Sequence, residues 1–168
     1  MPYLAVPLLA LVVVAQTTVV PATALGGTKP FLPLLFVVTW GLLRGPLAGA
    51  WWALTVGLML DIVSPSPSLF YTVPLLLAVG VVALSRGRLF PSNLLMPWLV
   101  VIAATVAFVV AQRALLPLVG GSVGWLPATL MRELLPETAL NLLWLPIAYF
   151  PLHALARRVG GPRIDWER

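Results

Sequence analysis

The chain has 168 residues, of which 61% are hydrophobic and 9% charged, with a mean hydropathy of +1.04. A water-soluble domain carries roughly a quarter of its residues charged to cover its surface, so composition excludes one and makes lipid the solvent. Ten Lys and Arg against five Asp and Glu give a net charge of +5, and because these basic residues fall between apolar segments they read as membrane orientation signals rather than as a nucleic-acid surface.

A backbone in lipid must satisfy its own polar groups, which leaves helices or a closed barrel. The apolar stretches, such as 4–15 and 99–110, are continuous and do not alternate as barrel strands do. The expected fold is therefore an all-α integral membrane protein, a bundle of about six transmembrane helices. Breaks at charges, glycines and prolines place the six segments at 3–25, 31–43, 46–63, 69–85, 94–117 and 134–155.

The first segment has a signal-peptide-like look, with Ala22, Thr23 and Ala24 following its apolar core. It has no Lys or Arg ahead of that core, which argues against cleavage. The second segment is short for a crossing and is followed at once by Arg44, Gly45 and Pro46. Residues 31–63 thus form either a tight hairpin or a re-entrant pair. The hairpin is favoured, because Pro46 suits the first turn of a new helix and Arg44 can reach the headgroups. Pro74, Pro97 and Pro146 fall inside the expected spans, where each should kink its helix.

With six crossings the loops divide into two sets. Arg44, Arg86, Arg88, Arg157, Arg158, Arg163 and Arg168 lie on one side, against Lys29, Arg113 and Arg132 on the other. That bias places both termini in the cytoplasm. The domain reading is a six-helix transmembrane unit over 1–156 and a short basic cytoplasmic tail over 157–168, which serves as an orientation signal or lies on anionic lipid.

Polar groups inside the apolar segments collect toward the non-cytoplasmic end. Gln16, Asp61, Arg113, Glu137 and Asn141 come from different segments but from similar depth, and ionisable residues there usually face the bundle interior. They read as a candidate polar pocket open to the outside, or as interhelical bonds that fix packing. Asp61 and Arg113 are the natural ion pair, and Glu137 and Asn141 share a helix face. Gly49, Ala53 and Gly57, at four-residue steps, make a small-residue ridge for an internal neighbour or a partner helix, and Ala103, Ala107 and Ala111 make a similar one.

Catalytic arrangements fail on spacing. The single histidine, His153, belongs to the cytoplasmic end and Asp61 to the opposite one, so no Ser–His–Asp set forms. Cysteine is absent, no metal-ligand spacing or phosphate-cradling loop occurs, and no cofactor is expected.

Several blocks carry a family resemblance: Gln16-Thr17, Pro30-Phe31-Leu32, Gly41-Leu42-Leu43-Arg44-Gly45-Pro46-Leu47-Ala48-Gly49, Gly57-Leu58-Met59-Leu60-Asp61, Ser64-Pro65-Ser66-Pro67 with Tyr71, and Asn141. Over most of its length the chain resembles the MreD family of rod-shape-determining proteins, the Gly/Leu block ending in Asp61 being the most specific part. Two positions depart from the family. Phe31 stands where an acidic residue often follows the proline, so no role of that acid carries over. Phe70 stands where a glycine often precedes the tyrosine.

The resemblance implies a non-enzymatic membrane scaffold of the bacterial cell-elongation complex in the inner membrane. Its implied partners are a MreC-like single-span protein, the MreB filament and a RodA-type synthase in peptidoglycan synthesis. The family is also similar in fold to the substrate-binding component of energy-coupling-factor transporters. By analogy this raises the alternative of a small-molecule or lipid-binding membrane component.

Overall fold

The computed structural model describes residue 16 and residues 30–65, 69–86, 95–120 and 127–158. The expected first segment, Gln16 apart, lies outside the described residues, as does the tail beyond Arg158. The other five expected segments are all helices. We label them α1 (Leu32–Arg44), α2 (Pro46–Val63), α3 (Thr72–Arg86), α4 (Met96–Leu115) and α5 (Pro127–Arg158), with a 3-10 turn at Leu116–Val119 after α4. Among the described residues three stretches are long and apolar enough to cross a membrane: Pro46–Val63, Met96–Leu118 and Met131–Arg157. Leu32–Arg44 and Thr72–Ser85 are shorter apolar helices.

Helix α1 is the centre of the bundle. At 1.5 Å per residue its 13 residues span about 20 Å, well short of the ~30 Å hydrocarbon layer. Among the described residues it touches each of the other four α-helices, and α2, α3, α4 and α5 follow one another around it, each packed on the next. Its residues 33 to 41 are all buried, with Leu34, Leu35, Val37 and Val38 fully enclosed. An all-round apolar helix suits lipid as well as a core; it is burial by its four described neighbours that places α1 at the centre.

Residues 32–63 form two helices joined at a single residue, Gly45, an arrangement common to the hairpin and the re-entrant pair. The φ of 112° and ψ of 155° at Gly45 suit glycine and almost no other residue. Gly45 donates its N–H to the Gly41 carbonyl and accepts from Gly49 N–H, so one residue ends α1 and starts α2. Pro46 then sits in the first turn of α2, where a missing N–H is harmless. The two helices meet at Gly41 and Gly49: a Cβ on Gly49 would lie 2.9 Å from Gly41 Cα.

Two of the expected kinks do not arise. Pro97 lies in the first turn of α4 and Pro74 in the first turn of α3, where the proline removes a donor that has no intrahelical acceptor anyway. Only Pro146 is deep in a helix, together with Pro136 and Pro151 in the 32-residue α5.

Side-chain contacts fix which ends lie together. The end of α2 meets the start of α3 through Asp61 and Thr72. Asn141 of α5 bonds Thr105 of α4, and Glu133 of α5 pairs with Arg113 of α4, so these helices run antiparallel. Phe31, just before α1, stacks on both Tyr71 and Phe108. One end of the bundle therefore gathers the starts of α1, α3 and α5 with the ends of α2 and α4.

Candidate functional site

All five predicted polar residues lie at that one end, but most of their bonds go to backbone. The start of α1 has no side-chain cap of its own, and a buried helix start leaves donors that something must accept. Asn141 Oδ1 accepts from Phe31 N–H at 3.0 Å. Gln16 Oε1 accepts from Leu32 N–H at 3.0 Å, and its Nε2 donates to the Pro30 carbonyl at 3.4 Å. Pro33 has no N–H, and Leu34 and Leu35 donate to the Phe31 carbonyl. The first turn of α1 is thus fully satisfied, by two amide side chains from elsewhere in the sequence.

Asn141 has a second use. Its Nδ2 donates to Thr105 Oγ1 at 3.2 Å, and that hydroxyl donates in turn to the Val101 carbonyl at 2.8 Å. Asn141 and Thr105 are fully buried, so this chain of bonds ties α1, α5 and α4 where no water competes.

Asp61 treats α3 as Asn141 and Gln16 treat α1. Its Oδ1 accepts from Tyr71 N–H at 2.8 Å. Its Oδ2 accepts from Thr72 N–H at 3.2 Å and from Thr72 Oγ1 at 2.6 Å. A carboxylate at a helix start receives both the unpaired N–H groups and the positive end of the helix dipole. One turn earlier, Gly57 lets α3 come this close: a Cβ there would lie 2.6 Å from Thr72 Cα.

The Asp61–Arg113 pair expected from the sequence is therefore corrected. Asp61 is occupied by donors at the start of α3, and Arg113 forms its ion pair with Glu133. Glu133 escaped the sequence reading, although it stands four residues before Glu137 and eight before Asn141 and so shares their helix face. Thr72 and Thr105 were missed as well, since neither carries a charge. Glu137 lies between the other two on α5. The register set by Thr105–Asn141 and Arg113–Glu133 puts it level with Val109. It is partly buried and makes no hydrogen bond or ion pair among the described residues.

The aromatic floor of this end is Phe31. Its ring lies 4.7 Å from Phe108 and 5.9 Å from Tyr71, both stacked, and Phe70 meets Tyr71 edge-on at 5.6 Å. An apolar ring fills this position, and the only polar atoms that Phe31 contributes are those of its backbone.

The ridge residues are used inside the bundle. Gly49 faces Gly41 and Gly57 faces Thr72, while Ala53 between them is fully buried. Ala103, Ala107 and Ala111 do not form a comparable seam: the first is exposed, the second half-buried and the third buried. His153 stacks on Tyr149 at 5.7 Å near the end of α5, at the end of the bundle away from Asp61. No group of three or more metal-ligating side chains occurs among the described residues.

These features define an all-helical membrane protein whose bundle is closed at one end by side chains that cap neighbouring helices. The chain belongs to the MreD family: the family model described as rod shape-determining protein MreD matches residues 1–159. No curated protein and no solved structure matches it.

Proposed function

We propose that the protein is a non-enzymatic scaffold of the bacterial cell-elongation complex. It crosses the inner membrane six times with both termini in the cytoplasm and holds a MreC-like single-span protein. Through it the scaffold works with the MreB filament and a RodA-type synthase in peptidoglycan synthesis and cell shape. Family membership over residues 1–159 carries this reading. The bundle supports it, because Asp61, Asn141 and Gln16 are committed to helix starts, which makes a rigid frame.

A second reading, capture of a small molecule from outside in the manner of a transporter substrate-binding subunit, rests on Glu137. This inward carboxylate has no bonding partner among the described residues. One experiment separates the two: co-expression with the MreC-like protein of the same source, purification in mild detergent, and mass spectrometry for proteins and small molecules. Co-purification of the partner supports the scaffold. Its absence, with a retained small molecule, replaces the scaffold by ligand capture.

A further inference from the structure

Glu133, Glu137 and Asn141 follow one another at four-residue steps along one face of α5. The first and the last are bonded to α4, Glu133 to Arg113 and Asn141 to Thr105, so the face between them meets α4. Glu137 stands on that face, partly buried and without a bond among the described residues. Its level on α4 is that of Val109, one turn from Arg113. Both carboxylates lie within the apolar stretch Met131–Arg157, where an ionisable side chain usually has a partner.

The antiparallel packing of α4 and α5 decides which side chains converge. Every Cα–Cβ bond in an α-helix tilts toward the N-terminus of its own helix. Arg113 therefore leans toward the level of Val109, and Glu137, on the oppositely directed helix, leans toward the level of Arg113. Glu133 leans the other way, so the observed pair joins two side chains that diverge. One turn is about 5.4 Å along the axis, a step that the long arginine stem makes by rotamer changes alone. The guanidinium fork has donors for either carboxylate.

We propose that Arg113 is a two-position latch between α4 and α5, paired with Glu133 as seen here and with Glu137 one turn deeper in its second position. The Glu133 position keeps the pair near the exposed end of the bundle and leaves Glu137 without a cation. The Glu137 position draws the charges between the two helices and releases the exposed Glu133. The latch involves only the chain's own residues and is independent of both functional readings.

Unfolding of the full chain in detergent tests it. The coupling between Arg113→Met and Glu137→Gln is measured in the wild type and again in Glu133→Gln, where only the deeper carboxylate is left. It should be small in the wild type and grow by about fivefold in the unfolding equilibrium constant in Glu133→Gln, an ordinary coupling for side chains of one ionic network. Starting the cycle from Glu137→Asp, which keeps the charge but withdraws it by one methylene, should remove most of that gain. Arg132→Met in place of Arg113→Met, off the face that meets α4, should show none of it. Independently of stability, the side-chain nitrogen NMR resonances of Arg113 should respond to Glu137→Gln in the Glu133→Gln background and hardly in the wild type. An unchanged coupling and unchanged resonances in Glu133→Gln would overturn the latch. An equal gain with Arg132, or a full gain kept with Glu137→Asp, would replace it by attraction at a distance without contact.

Discussion

Asp61 and Thr72 are joined twice, the Thr72 hydroxyl at 2.6 Å and its N–H at 3.2 Å both donating to Oδ2, so the last turn of α2 serves as the cap of α3. Removing the carboxylate strands the N–H groups of Tyr71 and Thr72. Asp61→Ala should cost about 2 kcal/mol of stability and Asp61→Asn less, since one oxygen remains to accept. In double-mutant cycles read by unfolding in detergent, Asp61→Ala should couple to Thr72→Val and add simply with Arg113→Met. Coupling of Asp61 to Arg113 would restore the ion pair expected from sequence.

The helical glycines should separate by what stands against them. Gly49→Ala and Gly57→Ala place a Cβ 2.9 and 2.6 Å from neighbouring backbone, so the helices must part and stability falls. Gly80 on α3 has nothing within 4 Å of such a Cβ. There Ala should stabilise by up to ~1 kcal/mol through helix propensity alone. Thermal unfolding of the three variants in one detergent checks the order.

Asn141 and Glu133 sit on one face of α5 and should differ in cost. The Arg113–Glu133 pair is partly solvated, its side chains 21% and 48% exposed, and breaking it with Glu133→Gln should cost no more than about 1 kcal/mol. Asn141→Leu leaves Phe31 N–H without its acceptor in a fully buried site and should cost about 2 kcal/mol or more. Chemical unfolding of both variants gives the comparison, and equal costs would contradict the bonding described.

Leu69 adopts a left-handed backbone with φ of 71° and is exposed. A side chain in that conformation costs roughly 1–2 kcal/mol relative to glycine. Leu69→Gly should raise stability, partly offset by the greater freedom of glycine in the unfolded chain. A lower unfolding temperature would show that Leu69 is held by packing instead.

For orientation, the absence of native cysteine makes single substitutions readable. Pro65→Cys, after α2, should react with an impermeant thiol reagent applied outside intact cells, and Arg157→Cys only after the membrane is opened. The opposite pattern would invert the proposed topology.

The helices and the tight join at Gly45 were legible because they depend on local signals: apolar run length, Arg-Gly-Pro punctuation and small residues at four-residue steps. The gathering of the polar residues at one end of the bundle was legible too. Their partners were not, because sequence shows charge while the bonds are decided by geometry. Asp61 and Arg113 attract on paper, yet a carboxylate beside a helix start finds fixed N–H donors within reach, and Arg113 finds Glu133 at its own level on α5. Pro74 and Pro97 were misread for a related reason: a proline kinks or merely opens a helix according to where the first turn falls, and apolar segments place that boundary only to within a few residues.

The bond from Phe31 N–H to Asn141 spans 110 positions of the chain, which bears on how the protein is made. During synthesis α1 emerges early, with a helix start whose acceptor has not yet been translated. Until α5 is made that N–H has no partner, because the hydrocarbon of lipid offers no acceptor. Only when α5 is inserted does Asn141 arrive, so a chain interrupted before it carries an unfinished seal at its core. The core of the bundle is therefore closed by one of the last segments to be made, and a chain lacking α5 would leave the start of α1 without its buried acceptor.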